Sequence, residues 1–371
     1  MSIMLVAHPS PDVYGSDRQL VESLTGLRAA GWDVTACLPA RGPLVELLSG
    51  IAIRVEPFPV LRKALLRPLA LARLALATPR DLLRLVRAIR SVHPDVVYVN
   101  TLTIPLWILA ARLTRTPVLV HVHEAEEDLP RFVRAALNAP LLLASSVITN
   151  SAASRRVLLD VLPRLSRRTA VVPNGVSDAR AEPVVQAELG RLAVVARLSP
   201  RKGVDIALEA VAILRRQGRD VSLDVCGTAY PGYEWFERQL RERADQPDLA
   251  GAIRLLGYVD RTGPVLAAAS VVLVPSRVEP FGNTAVEGLL AQRPVVASNV
   301  QGLAEILTDH RTGLLVPPGD PAALATAIAC ILDDAELAAR LAEAGRVEAI
   351  ARFSSTRYRR DICAAAAALL R

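Results

Sequence analysis

Short runs of apolar and β-branched residues alternate along the chain with longer stretches rich in leucine and alanine. Such runs are typical of buried strands and the longer stretches of helices, so the alternation predicts parallel sheets with crossover helices. The first predicted series of strands comprises 3–7, 33–38, 51–55, 96–99, 118–122, 147–149 and 170–172. A second series comprises 192–196, 222–225, 253–256, 271–274, 295–297 and 313–316, and the clearest predicted helices are 17–30, 82–91 and 355–370.

The two series predict two Rossmann-like α/β domains. A chain of 371 residues is long enough for two domains, and a stretch rich in turn-forming residues, from Pro173 to Pro183, separates the series. We predict an N-terminal domain over 1–173 and a C-terminal domain over 174–354, followed by a last helix (355–371). Two such domains facing each other form a cleft at the carboxyl ends of their strands, where ligands bind in folds of this kind.

The composition indicates in which cellular compartment the protein is found. Half of the residues are apolar, but no uninterrupted apolar run reaches about 18 residues, which argues against a membrane-spanning helix. The N-terminus has the pattern of a first strand and not of a signal peptide. The cysteines are far apart and fit buried thiols in a reducing compartment, at Cys37, Cys226, Cys330 and Cys363. We therefore expect a cytoplasmic protein.

The segment from Val60 to Arg90 carries the whole net charge of +7. Its single acid is Asp81, and its eight basic residues are Arg62, Lys63, Arg67, Arg73, Arg80, Arg84, Arg87 and Arg90. Because the segment is also rich in leucine, it favours peripheral contact with anionic lipid headgroups on the inner face of the membrane. Pro68 and Pro79 are expected to divide it into two or three helical pieces. An ordinary arginine-rich surface helix pair is the alternative, whereas nucleic acid is disfavoured because stacking aromatics are lacking.

The most informative motif is the nonapeptide Glu279-Pro280-Phe281-Gly282-Asn283-Thr284-Ala285-Val286-Glu287, which follows a predicted strand. Apolar positions from 285 to 290 have helical spacing, so a helix is predicted to begin at Asn283. Gly282 lacks a Cβ and can bring its backbone close to a ligand. Unpaired N–H groups at a helix start suit phosphate, and Glu279 and Glu287 could accept hydrogen bonds from hydroxyls. The motif predicts a site for a phosphorylated, hydroxyl-rich molecule, with solvent-exposed glutamates as the alternative.

Two further turns supply groups for phosphate. The loop after the first strand of the second series contains Arg197, Arg201 and Lys202 before Gly203, and such cations can neutralise a diphosphate. A basic surface loop is the alternative. In the first domain only Gly15 precedes the first helix, so the dinucleotide fingerprint GxGxxG is missing, although this glycine could still let backbone approach a phosphate.

His121 and His123 close the fifth predicted strand. Strand alternation places both imidazoles on one face, at the carboxyl end of the sheet, where a histidine could hydrogen-bond a substrate hydroxyl. A histidine packed against backbone is the alternative. The acidic residues that follow, Glu124, Glu126, Glu127 and Asp128, could contact an acceptor or simply be solvated.

The sequence motifs of several other enzyme classes are absent. The sequence has no GxSxG nucleophile elbow, no Walker loop, no HExxH pair, and no DxD pair of the kind that holds a divalent metal on a nucleotide diphosphate. A hydrolase and a metal-dependent transferase are both disfavoured, and we expect no metal and no cofactor.

Taken together, these motifs resemble glycosyltransferase family 4, a group of retaining enzymes with the GT-B fold. The resemblance covers nearly the whole chain. It rests on the 279–287 motif, on Arg197 with Lys202-Gly203, on the linker 173–176, and on 294–298 and 312–317. The family usually has two glycines where this chain has Tyr14-Gly15-Ser16 and again where it has Gln301-Gly302, so the resemblance implies no particular donor sugar.

The resemblance also implies roles for the domains and for residues. The domain over 1–173, on which the helix 355–371 would pack back, would be the acceptor-side domain, and the domain over 174–354 would bind the nucleotide sugar. Glu279 would lie near the donor sugar, and Glu287 would bind the ribose hydroxyls of the nucleotide. The donor diphosphate would contact backbone or side chains of Gly15, Arg197, Lys202, Phe281, Gly282, Asn283 and Thr284. Of the two histidines, we assign His123 to the reaction centre. The family transfers sugar with retention of anomeric configuration, so Glu279 would position the sugar and form no covalent intermediate.

We therefore expect a metal-independent glycosyltransferase that uses a nucleotide sugar and a lipid-linked or glycan acceptor, in the synthesis of cell-envelope polysaccharide or glycolipid. A non-catalytic scaffold that keeps the fold and docks on membranes is the main alternative. A sugar epimerase or a phosphorylase of the same fold is a smaller one.

Overall fold

A computed structural model describes residues 1–13, 15–61, 68–127, 129–177, 187–230 and 232–370, with the backbone alone for 68–77. The chain divides into two compact units. Unit 1 comprises Met1–Gly175 together with Ser355–Arg371, and unit 2 comprises Val176–Ser354. The division thus follows Gly175, close to the boundary predicted after Pro173.

Every predicted strand is present, with ends that shift by a few residues. The strands of unit 1 are β1 (Ile3–Ala7), β2 (Asp33–Leu38), β3 (Ala52–Val55), β4 (Val96–Asn100), β5 (Val118–Val122), β6 (Ser146–Thr149) and β7 (Thr169–Val171). Those of unit 2 are β8 (Glu188–Val195), β9 (Ser222–Cys226), β10 (Ile253–Gly257), β11 (Ala269–Val274), β12 (Val295–Ser298) and β13 (Leu314–Val316). The α/β class of both units is therefore confirmed.

Helices connect the strands as crossovers. Their bounds are α1 (Gly15–Ala29), α2 (Pro43–Leu47), α3 (Pro68–Val92), α4 (Pro105–Leu113), α5 (Arg131–Asn138), α6 (Ala152–Val161), α7 (Val204–Arg216), α8 (Glu234–Ala244), α9 (Gly263–Ala268), α10 (Asn283–Leu290), α11 (Leu303–Ile306), α12 (Pro321–Asp333), α13 (Ala335–Phe353) and α14 (Ser355–Ala367). Short 3-10 helices lie at 139–143, 163–168, 200–202 and 368–370.

Both sheets are parallel and doubly wound. In the described residues the sheet of unit 1 has the order β3-β2-β1-β4-β5-β6-β7, and that of unit 2 has the order β10-β9-β8-β11-β12-β13. The sequential order reverses between β1 and β4 in one sheet and between β8 and β11 in the other. Apolar side chains fill the core on both faces of each sheet, because parallel strands are covered by helices on both sides.

The last helix belongs to the core of unit 1. Tyr358 and Ile362 of α14 are fully buried, and the Tyr358 hydroxyl lies 2.7 Å from Ser23 Oγ of α1. The two helices approach so closely that a Cβ on Gly26 would lie 2.7 Å from Cβ of Arg359. Unit 1 therefore consists of two chain segments that pack as one body.

Two sequence-based expectations are wrong. Pro79 does not divide the basic segment, because it lies inside α3, which begins at Pro68. Proline suits the first position of a helix, and an internal proline can bend a long helix without ending it. Cys330 is exposed, because the buried positions of α12 (Leu324, Ala325, Ile328 and Ile331) lie on the other side of that helix.

Arg62, Lys63 and Arg67 fall outside the described residues, as does the side chain of Arg73. Within the described part of the chain, no helix has both the length and the apolarity that a membrane span requires.

Candidate functional site

Polar loops gather at corresponding places in the two sheets. In unit 2 they follow β8, β11 and β12, and in unit 1 they follow β1, β4 and β5. These strands are neighbours at the point where the strand order reverses, and such switch points are where open α/β sheets bind ligands. Each unit therefore has one candidate site, described separately below.

The predicted loop and helix of unit 2 are confirmed. The chain leaves β11 at Val274, passes through the loop and enters α10 at Asn283, with Gly282 as the N-cap residue. Gly282 has a φ of +119°, and a Cβ there would lie 2.5 Å from Leu303 Cδ2. Gly282 has no side chain with which to cap α10, so the N–H groups at the positive end of the helix need other partners.

Glu279 is held from several sides. Its Oε2 accepts hydrogen bonds from Lys202 Nζ at 2.5 Å and from Ser276 Oγ at 3.1 Å. Its backbone N–H donates to Gln301 Oε1 at 3.1 Å, and its carbonyl accepts from Gly302 N at 3.0 Å. The side chain of Glu279 is only 11% exposed, whereas that of Lys202 is 31% exposed. The carboxylate is thus preorganised, and its cationic partner keeps access to solvent.

The basic loop after β8 packs against the loop that carries Glu279. Gly203 has a φ of +65°, and a Cβ there would lie 1.9 Å from the Pro275 carbonyl oxygen. The Arg201 carbonyl accepts a hydrogen bond of 2.8 Å from the Arg277 backbone N–H. Only glycine permits this approach of the two backbones, and the approach brings Lys202 to Glu279.

The other residues predicted for the donor lie near the start of α10 or after β8. The Arg197 guanidinium stacks over the Tyr230 ring, with Cζ 5.3 Å from the ring centroid. Thr284 Oγ1 donates to the Val195 carbonyl at 2.9 Å, which ties α10 to the end of β8. The Phe281 ring is buried edge-on against Phe353, so only its backbone is available to a ligand.

The remaining residues of unit 2 that the sequence predicts to bind the sugar donor lie along α10. Asn283 is its first residue and Glu287 lies about one turn further on, and both are half-buried. The structure thus brings Lys202 and Glu279 into direct contact and places the other predicted groups on adjoining segments of unit 2.

The two histidines of unit 1 lie on one side of the sheet, as strand alternation predicts. Their ring centroids are 3.9 Å apart. His121 is fully buried, and its Nδ1 lies 2.8 Å from the Tyr98 hydroxyl. His123 is only partly buried, and its Nε2 lies 2.8 Å from Asn100 Oδ1. A ligand at the surface of unit 1 could therefore meet His123 and not His121.

Both imidazoles are held neutral at physiological pH. Burial lowers the pKa of His121 well below its usual range, and the adjacent His123 lowers it further. Burial and then the nearby His8 lower the pKa of His123 to about 3, although Asp17 opposes them. A neutral imidazole has one N–H donor and one lone-pair acceptor, so His123 can accept a hydrogen bond.

Sequence reasoning missed three polar residues beside His123. His8 follows β1, Asn100 ends β4, and Asp17 lies in the first turn of α1; each is nearly fully buried. Their side chains connect to one another and to His123 through hydrogen bonds. A polar residue at the end of an apolar strand can be recognised in the sequence. Such residues occur at the ends of β1, β4 and β5, and they could have indicated this site.

Glu124, expected in an acidic, acceptor-facing or solvated loop, is instead anchored in the protein. Its carboxylate accepts hydrogen bonds from Thr101 Oγ1 and, at 2.9 Å, from the His123 backbone N–H. Burial raises the pKa of Glu124, and the Thr101 hydrogen bond opposes that shift. Thr101 has a φ of +135°, which is strained for a β-branched residue and is typical of functional sites. Gly15 begins α1 on the exposed surface of unit 1, and Asp128 falls outside the described residues.

Comparison with known proteins gives matches over both units. Residues 178–348 match the family model described as glycosyl transferases group 1, and residues 13–180 match the model described as Glycosyltransferase Family 4. The glycogen synthase of Mycobacterium tuberculosis is 31% identical over 278 residues, which cover 69% of this chain and 64% of that protein. The phosphatidyl-myo-inositol mannosyltransferase of Mycobacterium leprae is 38% identical over 157 residues, or 42% of this chain and 40% of that protein.

Solved structures agree on the fold. The crystal structure of Anabaena Alr3699/HepE in complex with UDP-glucose has a TM-score of 0.83 and 23% sequence identity, and the match covers 99% of this chain and 100% of that chain. The fold is thus that of GT-B glycosyltransferases. The chain spans less than two thirds of the length of the curated relatives it matches.

Proposed function

Since both halves of the chain match glycosyltransferase families and the fold is GT-B, we propose that the protein is a retaining glycosyltransferase that uses a nucleotide sugar. Its acceptor would be a lipid-linked or glycan molecule of cell-envelope polysaccharide or glycolipid synthesis. The observation that carries the proposal is the contact between Lys202 and Glu279, beside the start of α10 and at the switch point of the sheet of unit 2.

The chemistry of the transfer explains why these groups lie together. Breaking the bond between sugar and phosphate develops negative charge on the leaving diphosphate and positive charge on the anomeric carbon. Arg197, Lys202 and the N–H groups of 282–284 would stabilise the diphosphate without a metal. Lys202 now bonds to Glu279, and a bound donor would offer phosphate oxygens to the lysine and sugar hydroxyls to the carboxylate.

Retention of configuration requires no protein nucleophile if the acceptor attacks on the face that the phosphate leaves. Glu279 then acts by fixing the sugar, a task suited to a carboxylate that is already held by Ser276 and by the hydrogen bonds of its backbone. Glu287 would accept hydrogen bonds from the ribose hydroxyls. In unit 1, His123 would form a hydrogen bond with a substrate hydroxyl, and the backbone of Gly15 would contact a phosphate.

We expect nucleoside diphosphates to stabilise the protein without added metal. UDP, GDP, ADP and dTDP are each added at 5 mM with EDTA, and the unfolding temperature is followed by differential scanning fluorimetry. A diphosphate present at 100 times its Kd contributes about 2.7 kcal/mol to the folded state, roughly 5–10 °C for a domain of this size. Because Lys202 would supply one of the phosphate contacts, Lys202→Met should lose most of this shift.

The matched control is Arg340→Met, which removes an exposed cation from α13 of the same unit and should keep the full shift. If no diphosphate raises the unfolding temperature, the proposed donor site is refuted. If a shift appears only when Mg²⁺ replaces EDTA, the metal-independent part of the proposal is wrong.

We also propose that α3 contacts anionic membranes. Arg80, Arg87 and Arg90 are exposed along its described part, and Leu83 beside them is 49% exposed although it is apolar. An arginine-rich helix with an exposed leucine favours a surface that offers negative headgroups above an apolar layer.

Liposome flotation tests this proposal. The protein is expected to float with vesicles of phosphatidylglycerol and phosphatidylcholine and not with phosphatidylcholine alone. The triple variant R80S/R87S/R90S removes three cations, each worth about 1 kcal/mol near such a surface, and should lose most of the binding. The control R238S/R241S/R340S removes three exposed cations from unit 2. Equal flotation of the two triple variants would contradict an electrostatic role of α3.

A further inference from the structure

Four polar side chains form an unbroken hydrogen-bonded row at the carboxyl ends of β1, β4 and β5. Asp17 Oδ1 lies 2.8 Å from His8 Nε2, and His8 Nδ1 lies 2.9 Å from Asn100 Nδ2. Asn100 Oδ1 in turn lies 2.8 Å from His123 Nε2. Asp17, His8 and Asn100 are each no more than 2% exposed, so water cannot readily replace these partners. We refer to these four residues as the polar row.

The row has a direction that follows from its first member. A carboxylate only accepts hydrogen bonds, so His8 must donate from Nε2 to Asp17. The Asn100 amide nitrogen, which can only donate, faces His8 Nδ1, so this nitrogen accepts with its lone pair. The Asn100 carbonyl oxygen therefore faces His123, which must donate from Nε2. The proton of His123 is thus on Nε2, and its lone pair is on Nδ1.

The reverse direction would require more protons. If the Asn100 amide were turned over, its oxygen would face His8 Nδ1, and His8 would need a proton on both nitrogens while it still donates to Asp17. His123 would then accept on Nε2 and carry its proton on Nδ1. The Asp17 carboxylate, acting through His8 and Asn100, therefore determines which ring nitrogen of His123 carries the proton.

Neighbouring contacts hold the row in place. The Tyr98 hydroxyl lies 3.3 Å from Asn100 Oδ1, and the strained Thr101 follows Asn100 directly. The Asn150 side chain donates to the His123 carbonyl at 3.3 Å. Within the described part of the chain, Nδ1 of His123 makes no hydrogen bond, so this atom is the end of the row that a ligand can meet.

We propose that Asn100, aligned by Asp17 through His8, is a positioning residue that keeps the His123 proton on Nε2 and presents Nδ1 as a hydrogen-bond acceptor. The proposal deepens the proposed function and rests on it in one respect: the group that Nδ1 accepts from would be a hydroxyl of the sugar donor or of the acceptor. It predicts that His123 does not act as the acid of the reaction.

The proton order can be measured directly in the full chain. Two-bond ¹H–¹⁵N correlation spectra of protein labelled at the histidine ring nitrogens distinguish the tautomers, and His→Gln variants assign the five histidines. We expect both His8 and His123 to carry the proton on Nε2. Asn100→Ala should leave His123 as a mixture of tautomers, whereas Asn138→Ala, which changes an asparagine of α5, should leave the spectrum of His123 unchanged.

Two conservative variants keep the test decisive if Asn100→Ala does not fold. Asn100→Asp retains an oxygen acceptor for His123 and should preserve its Nε2 proton. Asp17→Asn replaces a pure acceptor by an amide that can also donate, so the direction of the row is no longer fixed. The His123 signal should then become a mixture of tautomers although the substitution lies two side chains away.

A His123 proton on Nδ1 in the unaltered protein would overturn the proposal, and so would a His123 signal that is unmoved in both Asn100→Ala and Asp17→Asn. The spectra require no turnover. If the spectra show the expected proton order but the protein uses no nucleotide sugar, the proposed function is wrong and the proton order still stands.

Discussion

Glu279→Ala is expected to reduce sugar transfer by at least about 100-fold, the effect typical of a lost group that fixes the geometry of reacting atoms. The carboxylate is buried and oriented by Ser276 and Lys202, so we expect no neighbouring group to replace the hydrogen bonds that we propose it makes to the sugar. The variant should remain folded, because Lys202 is 31% exposed and water can solvate its freed ammonium group. The measurement is release of nucleoside diphosphate in the presence of acceptor.

Glu242→Ala is the matched control, since it removes an exposed glutamate from α8 of the same unit and should retain full activity. Binding of the nucleoside diphosphate, followed by thermal shift, should survive in Glu279→Ala because the diphosphate contacts that we propose do not include the Glu279 side chain. Transfer at more than about a tenth of the original rate would show that Glu279 does not position the sugar.

Gly203→Ala should cause a large loss of stability in unit 2. A Cβ at this position would lie 1.9 Å from the Pro275 carbonyl oxygen, a backbone atom that can move only with its whole loop. We expect the free energy of unfolding to fall by about 3 kcal/mol or more, from overpacking together with the positive φ. Calorimetry would record a fall of roughly 6 °C or more in the unfolding temperature.

The other end of the same helix provides the control. Gly218 follows α7 with a φ of +80°, yet a Cβ there would have nothing within 4 Å. Gly218→Ala therefore imposes only the backbone penalty, about 1 kcal/mol. If the two variants were equally stable, the tight contact between the loops of Lys202 and Glu279 would not exist in solution.

The fold was largely predictable because its signals are local. A buried parallel strand must be apolar over several consecutive residues, so each strand left a readable run, including short ones such as β7 and β13. Helix ends were harder to predict. Pro79 indicated a break, but the structure tolerates it within α3, because neighbouring turns supply enough hydrogen bonds for the helix to continue.

The candidate site was predictable only where its residues share a motif. Glu279, Gly282 and the helix after them follow one another in sequence, and their arrangement was as expected. The contact between Lys202 and Glu279 depends on the pairing of β8 with β11, which no local pattern specifies. The polar row is harder still, since it joins Asp17 and His8 to Asn100 and His123 through the order of three strands. Isolated polar residues at strand ends become informative only when that order is known.

The return of α14 to unit 1 has a consequence for how the chain is made. A ribosome produces residues 1–175 first and must then synthesise all of Val176–Ser354 before Tyr358 and Ile362 emerge. At ordinary rates of translation this takes roughly 10–40 s, long enough for unit 2 to fold first. Until then the face of α1 that carries Ser23 and Gly26 lacks its covering helix. During synthesis, the half of the protein that is made first is therefore completed last.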